Sequence, residues 1–161
     1  MAKLNQHFKG KKVLDAMSES YADEVFETFE TLRNLGFRMF PNRYYPTMAC
    51  SCTDWNETAY VARFSHKPSL SEYGTTKMLE EMGKEFSPTK IIRKQDELYS
   101  LSMHRFPIGQ CAEQHAANKL LKLLGDKINV KENLFFGKPV RVATREDHIP
   151  YCKNCSNLFD L

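Results

Sequence analysis

The sequence predicts an α/β fold in which helices pack against a sheet. Three observations support this class. Two segments carry apolar residues at helical spacing. Two short segments on either side of a polar turn alternate between apolar and polar residues, and a short apolar run lies near the C-terminus. In chain order they predict a helix, two strands, a helix, a strand and a final short helix. The 161 residues are enough for one domain with a buried core.

The chain is predicted to begin with a basic tail over residues 1–17, followed by one domain over residues 18–161. The tail contains Lys3, Lys9, Lys11 and Lys12 and shows little periodicity. The first helix is predicted over residues 20–35, with Ser20 near its start and Gly36 at its end. Its apolar face is formed by Ala22, Val25, Phe26, Phe29 and Leu32.

A hairpin and an insertion are expected next. Residues 47–53 and 58–65 are predicted strands joined by the turn at residues 54–57, and Cys50 and Cys52 share a face as small core residues. Residues 67–106 are interpreted as an insertion that contains a short amphipathic helix and a strand over residues 98–106. The apolar side of that helix is formed by Met78, Leu79 and Met82.

The C-terminal third predicts a second long helix, a strand and a short helix. Residues 111–124 have a broad apolar face that ends at Gly125. Residues 140–144 are a candidate buried strand, preceded by an apolar patch at residues 134–136. Residues 151–159 are predicted to form the last helix.

The composition excludes several classes of protein. A chain that is 42% hydrophobic and 12% aromatic is neither disordered nor collagen-like. It has no run of eighteen apolar residues, so no membrane span is expected, and the basic N-terminus lacks the apolar stretch of a secretory signal. We therefore expect a cytoplasmic location. The formal charge of +3 permits an anionic partner such as nucleic acid without requiring one.

Two cysteine motifs are the strongest chemical signal. Cys111 precedes Glu113 by two residues at a predicted helix start, and Cys152 and Cys155 form a C-x-x-C at another. Helix N-termini favour thiolates, so three sulfurs could bind one zinc ion and leave a fourth position for water, as in catalytic zinc sites. The alternatives are a structural zinc knuckle or a redox pair at the C-x-x-C, or a structural zinc site formed by Cys50, Cys52, Cys152 and Cys155.

Glu113 and nearby cations complete the predicted site. The carboxyl group of Glu113 would lie beyond the first ligand, within reach of the open position, where it could transfer protons. Three thiolates leave the zinc site with one net negative charge, which opposes acidification of the bound water. The offsetting cation is expected among Lys153, Arg105, Arg141 and Arg145.

The Cys-Ala-Glu motif at residues 111–113, followed by Pro150 and Cys152-x-x-Cys155, resembles the cytidine deaminase superfamily of zinc-dependent deaminases. The resemblance implies a three-layer α/β/α sandwich with a mixed sheet. It also implies Zn²⁺ held by Cys111, Cys152 and Cys155, with zinc-bound hydroxide attacking the amine-bearing ring carbon and Glu113 as proton shuttle. Cytosine in a nucleoside or in single- or double-stranded nucleic acid would become uracil.

Other activities and partners stay open within this resemblance. The substrate could be a purine or another aminated heterocycle, or the chain could be a non-enzymatic, zinc-stabilised module that binds nucleic acid or protein. The motif is similar to that of toxin-type members, which implies delivery into a target cell and an immunity protein as partner. Oligomeric state is not predicted.

The resemblance also implies which residues line the substrate pocket, and the sequence departs from the family pattern at two positions. The resemblance places pocket residues in the turn before the first strand, so Asn42 is expected to make a polar contact. Tyr44, Tyr45 and Trp55 are aromatic residues that could stack on a base. Tyr151 separates Pro150 from Cys152, which the family usually joins directly, and Gln114 stands where free-cytidine deaminases often have arginine.

Overall fold

An open antiparallel sheet with helices on both faces forms the centre of the protein. The computed structural model describes residues 9–36, 47–67, 70–83, 102–103, 106–125 and 128–161. The helices of this described part are α1 (Lys11–Asn34), α2 (Glu72–Gly83), α3 (Ala112–Leu124) and α4 (Lys153–Phe159). Its strands are β1 (Met48–Asp54), β2 (Tyr60–Phe64), β3 (Leu134–Phe136) and β4 (Val140–Arg141). The predicted α/β class is confirmed.

Strand β1 is the central strand and pairs with the other three. Strand β2 lies on one side of it, and β3 and β4 follow one another along its other side. Cys52 thus lies between Val61 and Phe136, and Met48 lies opposite Arg141. The predicted mixed sheet is not what the described strands form. All three pairings are antiparallel, because β1 runs opposite to each of its neighbours.

Alternation along β1 directs its side chains to two separate cores. Cys50 and Cys52 are fully buried in the larger core, which contains residues of α2, α3 and α4. Ala49, which precedes Cys50 and faces the other way, belongs to a smaller core with Ala22 and Val25 of α1. The prediction that the two cysteines are small core residues is confirmed.

Helix α1 begins at Lys11, well before the predicted start at residue 20. The part of the predicted tail from residue 11 to residue 17 is therefore helical. Leu14 and Ser18 are fully buried and continue the face that Ala22 occupies. The Ser18 hydroxyl donates to Ser51 Oγ of β1 at 3.0 Å, so a polar residue holds this part of the helix against the sheet.

Most other elements lie where the sequence predicts them. The hairpin, α2, α3 and α4 are confirmed, with Met78 and Met82 of α2 fully buried. The apolar patch before residue 140 is itself a strand, β3, and β4 ends at Arg141 instead of continuing to residue 144. The predicted strand at residues 98–106 lies largely outside the described residues. Among the described helices, none combines the length and apolar character that a membrane span requires.

Candidate metal centre

Three cysteines converge where the N-termini of α3 and α4 meet. Cys111 is the N-cap residue of α3, Cys152 is the N-cap residue of α4, and Cys155 lies in the first turn of α4. Their sulfur atoms all lie within 4.8 Å of one another, and those of Cys111 and Cys152 are 3.3 Å apart. The predicted convergence of these residues is confirmed.

Packing of both helices on the same face of the sheet produces this convergence. Ala112 and Leu120 of α3 and Leu158 of α4 are fully buried in the larger core, together with Cys50 and Cys52 of β1. At the start of α4, the Cys152 sulfur accepts a hydrogen bond from the backbone N–H of Cys155 at 3.4 Å. The fold thus holds the C-x-x-C segment against the start of α3.

The three sulfurs suit a single soft metal ion. Zinc–sulfur bonds of about 2.3 Å in a tetrahedron separate the sulfurs by about 3.8 Å, which is close to the observed grouping. Burial and the neighbouring thiols raise the pKa of Cys155 well above its ordinary value, and the hydrogen bond with Cys152 is the main cause of a raised pKa at Cys111. A metal ion would therefore have to displace protons from these thiols, which makes binding pH-dependent.

The carboxyl group of Glu113 contacts the thiol cluster. It is only 5% exposed, and the Cys155 thiol donates to its Oε2 at 3.6 Å. Burial, opposed in part by hydrogen bonds and reinforced by the charge of Cys152, raises the pKa of Glu113 to about 7. A carboxyl group with this pKa can both accept and release a proton near neutral pH.

A cavity of about 460 Å³ opens onto the cluster. Its wall includes Cys111, Cys152 and Glu113, whereas Cys155 lies behind them and is fully buried. The other described lining residues are Thr47, Met48, Ser65, Phe106, Gln110, Ala112, Pro139, Arg141, Ile149 and Pro150. A volume of this size falls within the range typical of small-molecule pockets.

Phe106 is the aromatic residue among the described lining residues, and a side chain in the first turn of α4 fixes its backbone. The side-chain amide of Asn154, between the two cysteines of α4, donates to Phe106 O at 3.4 Å and to Ser102 Oγ at 2.9 Å. Its Oδ1 accepts from the Met103 N–H at 2.7 Å. Because Asn154 is fully buried, one wall of the cavity is tied directly to the C-x-x-C segment.

The expected substrate contacts are not brought to this cavity by the described structure. Asn42, Tyr44 and Tyr45 lie outside the described residues. Trp55 is 62% exposed at the turn between β1 and β2, where it stacks obliquely near Phe135 and lines a different cavity. That turn is at one end of β1, whereas Thr47 and Met48 of the thiol-lined cavity are at the other.

The rival structural site and one candidate cation, Arg145, are also separated from the cluster. Cys50 and Cys52 do not belong to the metal-binding group, so the predicted alternative with four cysteines is wrong. Arg145 is paired with Asp23 and covers the ring of Phe26 at 4.5 Å, on the α1 side. Arg105 lies outside the described residues and Lys153 is exposed.

Phe106, Gln110 and Ser65 were not predicted as site residues. They come from the segment before α3 and from the residue after β2, which are separate parts of the sequence. Gln110 and Phe106 could have been suggested only by their short distance from Cys111 in the sequence, and no sequence signal points to Ser65. Arg141 was predicted as a possible charge partner, and the structure places it in the cavity wall.

His115 lies one helical turn after Cys111 but is not directed at the sulfurs. Its ring stacks on that of His66 with the centroids 3.5 Å apart, and its Nε2 is 3.2 Å from His66 O. Burial and the neighbouring His66 lower the pKa of His115 to about 4, so that the ring is neutral at physiological pH. The described contacts of its ring are therefore with His66 and not with the sulfurs.

No family model matches this sequence, and comparison with curated proteins and with solved structures also found no match. The candidate function therefore depends on the site itself.

Proposed function

We propose that the protein is a zinc-dependent hydrolytic deaminase that converts cytosine to uracil in a nucleoside or nucleic acid. The observation that carries the proposal is the placement of Glu113 beside three convergent thiols at the wall of a cavity. Three protein ligands leave one coordination position for solvent, which is the arrangement of catalytic rather than structural zinc sites. The motifs at residues 111–113 and 150–155 support the same reaction.

Cys111, Cys152 and Cys155 would hold the metal, since soft thiolate donors favour zinc among the common divalent ions. Bound zinc would supply an acidified water as nucleophile near neutral pH. Glu113 would take one proton from the attacking water and give it to the ring nitrogen. It would then take the second proton of that water from the new hydroxyl group and give it to the amine, which leaves as ammonia while the carbonyl forms. The pKa of about 7 suits this group to both transfers.

The apolar part of the cavity would hold the base. Phe106 provides an aromatic surface, and Met48, Ile149 and Pro150 are apolar lining residues near Cys152. Such a wall excludes bulk water from the reacting ring and strengthens the electrostatic contacts within the site. Helices on both faces of the sheet also support the proposed three-layer deaminase sandwich.

The proposal is tested by metal analysis combined with an ammonia-release assay. Purified protein is expected to contain one zinc ion per chain and to release ammonia from cytosine-containing substrates. Cytidine, deoxycytidine, their monophosphates, and single- and double-stranded oligonucleotides are compared, with adenosine and guanine as purine controls. Ammonia from the purines alone would reassign the base, and ammonia from none of these compounds would refute the deaminase.

Replacing Glu113 separates an enzyme from a zinc-stabilised binding module. Glu113→Gln keeps the size of the side chain but cannot take up a proton, so turnover is expected to fall by at least 10²-fold. Zinc content and the unfolding transition should be retained, because Glu113 is not a ligand in this proposal. A binding module would show no turnover before or after the change.

A further inference from the structure

Arg141 is the basic side chain among the described residues that line the cavity. On β4, Val140 packs with Ala49 and Val25 in the core beneath α1, so alternation turns Arg141 to the opposite face of the sheet. That face carries α3, α4 and the thiol cluster. The register opposite Met48 places Arg141 in the same wall as Cys111, Cys152 and Glu113.

The charges in the cavity are unevenly distributed. Glu113 is the acidic residue of the described lining, and three zinc-bound thiolates would add one net negative charge. Glu113 is only 5% exposed and Cys155 is fully buried, so this negative charge lies at the deep side, where the amine-bearing ring would be placed. Arg141 is 40% exposed and therefore lies toward the solvent side, where the remainder of a bound nucleotide would extend.

From this arrangement we propose that Arg141 binds a phosphate group of the substrate, so that the substrate is a nucleotide and not a free base or nucleoside. This inference rests on the proposed deaminase function. A guanidinium group donates two parallel hydrogen bonds to phosphate oxygens, and a phosphate carries between one and two negative charges near neutral pH. The volume of about 460 Å³ leaves room beside a pyrimidine ring for a sugar and a phosphate.

The ion pair between Arg141 and Glu146 does not prevent this contact. Arg141 Nε lies 3.3 Å from Glu146 Oε2, and the Glu146 side chain is 57% exposed. Exposed pairs of this kind contribute little free energy, and a phosphate of higher charge can replace the carboxylate. The pair holds the guanidinium at the cavity wall until the substrate arrives.

Product binding tests the proposal without turnover. Calorimetry compares uridine, uridine monophosphate and a single-stranded oligonucleotide with one deoxyuridine, each with the zinc-loaded protein. Arg141→Gln should weaken binding of a phosphate-bearing ligand roughly tenfold to a hundredfold and leave uridine unchanged. Glu146→Gln should strengthen the same binding several-fold, because it removes the competing carboxylate. Arg33→Gln, the same charge change on an exposed residue of α1, serves as the control.

The two phosphate sources are distinguished by which ligand responds to Arg141→Gln. A response with uridine monophosphate assigns a terminal phosphate, and a response with the oligonucleotide alone assigns a backbone phosphate. Equal binding of uridine and both phosphate-bearing ligands, unchanged by Arg141→Gln, would overturn the inference, as would absence of binding. Ammonia release from cytidine with no phosphate preference would leave the deaminase intact and refute the phosphate contact. Nucleotide binding that depends on Arg141, without ammonia release from any substrate, would support the phosphate contact and refute the deaminase.

Discussion

The side-chain amide of Gln114 donates a hydrogen bond to the sulfur of Cys155, with Nε2 and Sγ 3.5 Å apart. Its Oε1 accepts a hydrogen bond from the backbone N–H of Gly109, so both ends of the amide are used. Gln114 and Cys155 are fully buried. Gln114 thus connects the segment before Cys111 to a proposed zinc ligand on another helix, and it offers a neutral donor to a sulfur that must become negative.

Replacing Gln114 by Leu is expected to weaken zinc binding roughly tenfold to a hundredfold. The substitution keeps a side chain of similar size but removes the donor to Cys155 and leaves the Gly109 N–H without its acceptor. Competition with a chromophoric chelator measures the affinity. Gln110→Leu is the matched control, because Gln110 lines the cavity and makes no described side-chain contact with a sulfur. Equal zinc affinity for Gln114→Leu and the native protein would contradict this role.

The cluster of Cys111, Cys152 and Cys155 was predictable because its signals are local. Cys111 and Cys152 each precede a helix that is readable from spacing, and a helix start fixes the direction of nearby side chains. The cavity wall depends instead on how distant segments pack. Arg141 enters it only because β4 pairs with the first residues of β1, and Phe106 only because Asn154 binds its carbonyl group. No periodicity in the sequence encodes either contact.

The start of α1 shows a similar limit. Leu14, Ser18 and Ala22 lie at helical spacing, but Ser18 is polar and interrupts the apolar stripe. Ser18 is buried because its hydroxyl pairs with Ser51 across the interface, which a hydrophobic pattern cannot reveal. Two basic residues, Lys11 and Lys12, then give the first turn the composition of a tail. The predicted boundary was therefore too late.

The stacked pair of His115 and His66 predicts a loss of stability in acid. The folded-state pKa of His115, about 4, lies below its ordinary value of 6.5, so the unfolded chain binds a proton that the folded protein excludes. The contribution of neutral His115 to the free energy of unfolding is complete above pH 6.5. It is lost as the pH falls toward 4, by an amount on the order of 3 kcal/mol. Burial also lowers the pKa of His66 and acts in the same direction.

Urea unfolding of the metal-free protein at pH 7, 6 and 5 measures this effect. His115→Asn cannot take up the proton, so its free energy of unfolding should fall less between pH 7 and pH 5 than that of the native protein. The comparison removes the contribution of carboxyl groups, which both proteins share. Parallel curves for His115→Asn and the native protein would rule the explanation out.

Gly137 lies where a strand approaches α1 closely. A Cβ atom at this position would lie 2.3 Å from Ser51 Oγ and 2.5 Å from Leu14 O. Gly137→Ala is therefore expected to lower the free energy of unfolding by about 1–3 kcal/mol, as measured by urea denaturation. Removing the Ser51 hydroxyl in the double variant Gly137→Ala/Ser51→Ala should not restore stability, because the backbone of Leu14 still blocks the Cβ. Recovery in the double variant would show that the clash involves Ser51 alone.

Tyr151 ties the C-x-x-C segment to the rest of the fold. Its hydroxyl donates to Gly137 O at 2.9 Å, and Lys11 Nζ donates to the same hydroxyl at 3.5 Å. Lys11 also donates to Phe136 O at 3.1 Å. The residue that separates Pro150 from Cys152 thus connects a proposed zinc ligand with the start of α1 and the end of β3.

Tyr151→Phe removes only this hydroxyl, and we expect it to cost about 1 kcal/mol of stability and to speed the loss of zinc to a chelator. The dissociation rate should rise because Cys152, the adjacent ligand, is held less firmly. Tyr60→Phe is the control: its hydroxyl contacts Glu57 on the surface, so its loss should change neither quantity appreciably. If Tyr151→Phe lowered stability but left zinc dissociation unchanged, Tyr151 would support the fold without positioning the ligand. If zinc dissociated faster while the free energy of unfolding stayed the same, the main effect of the hydroxyl would be at Cys152.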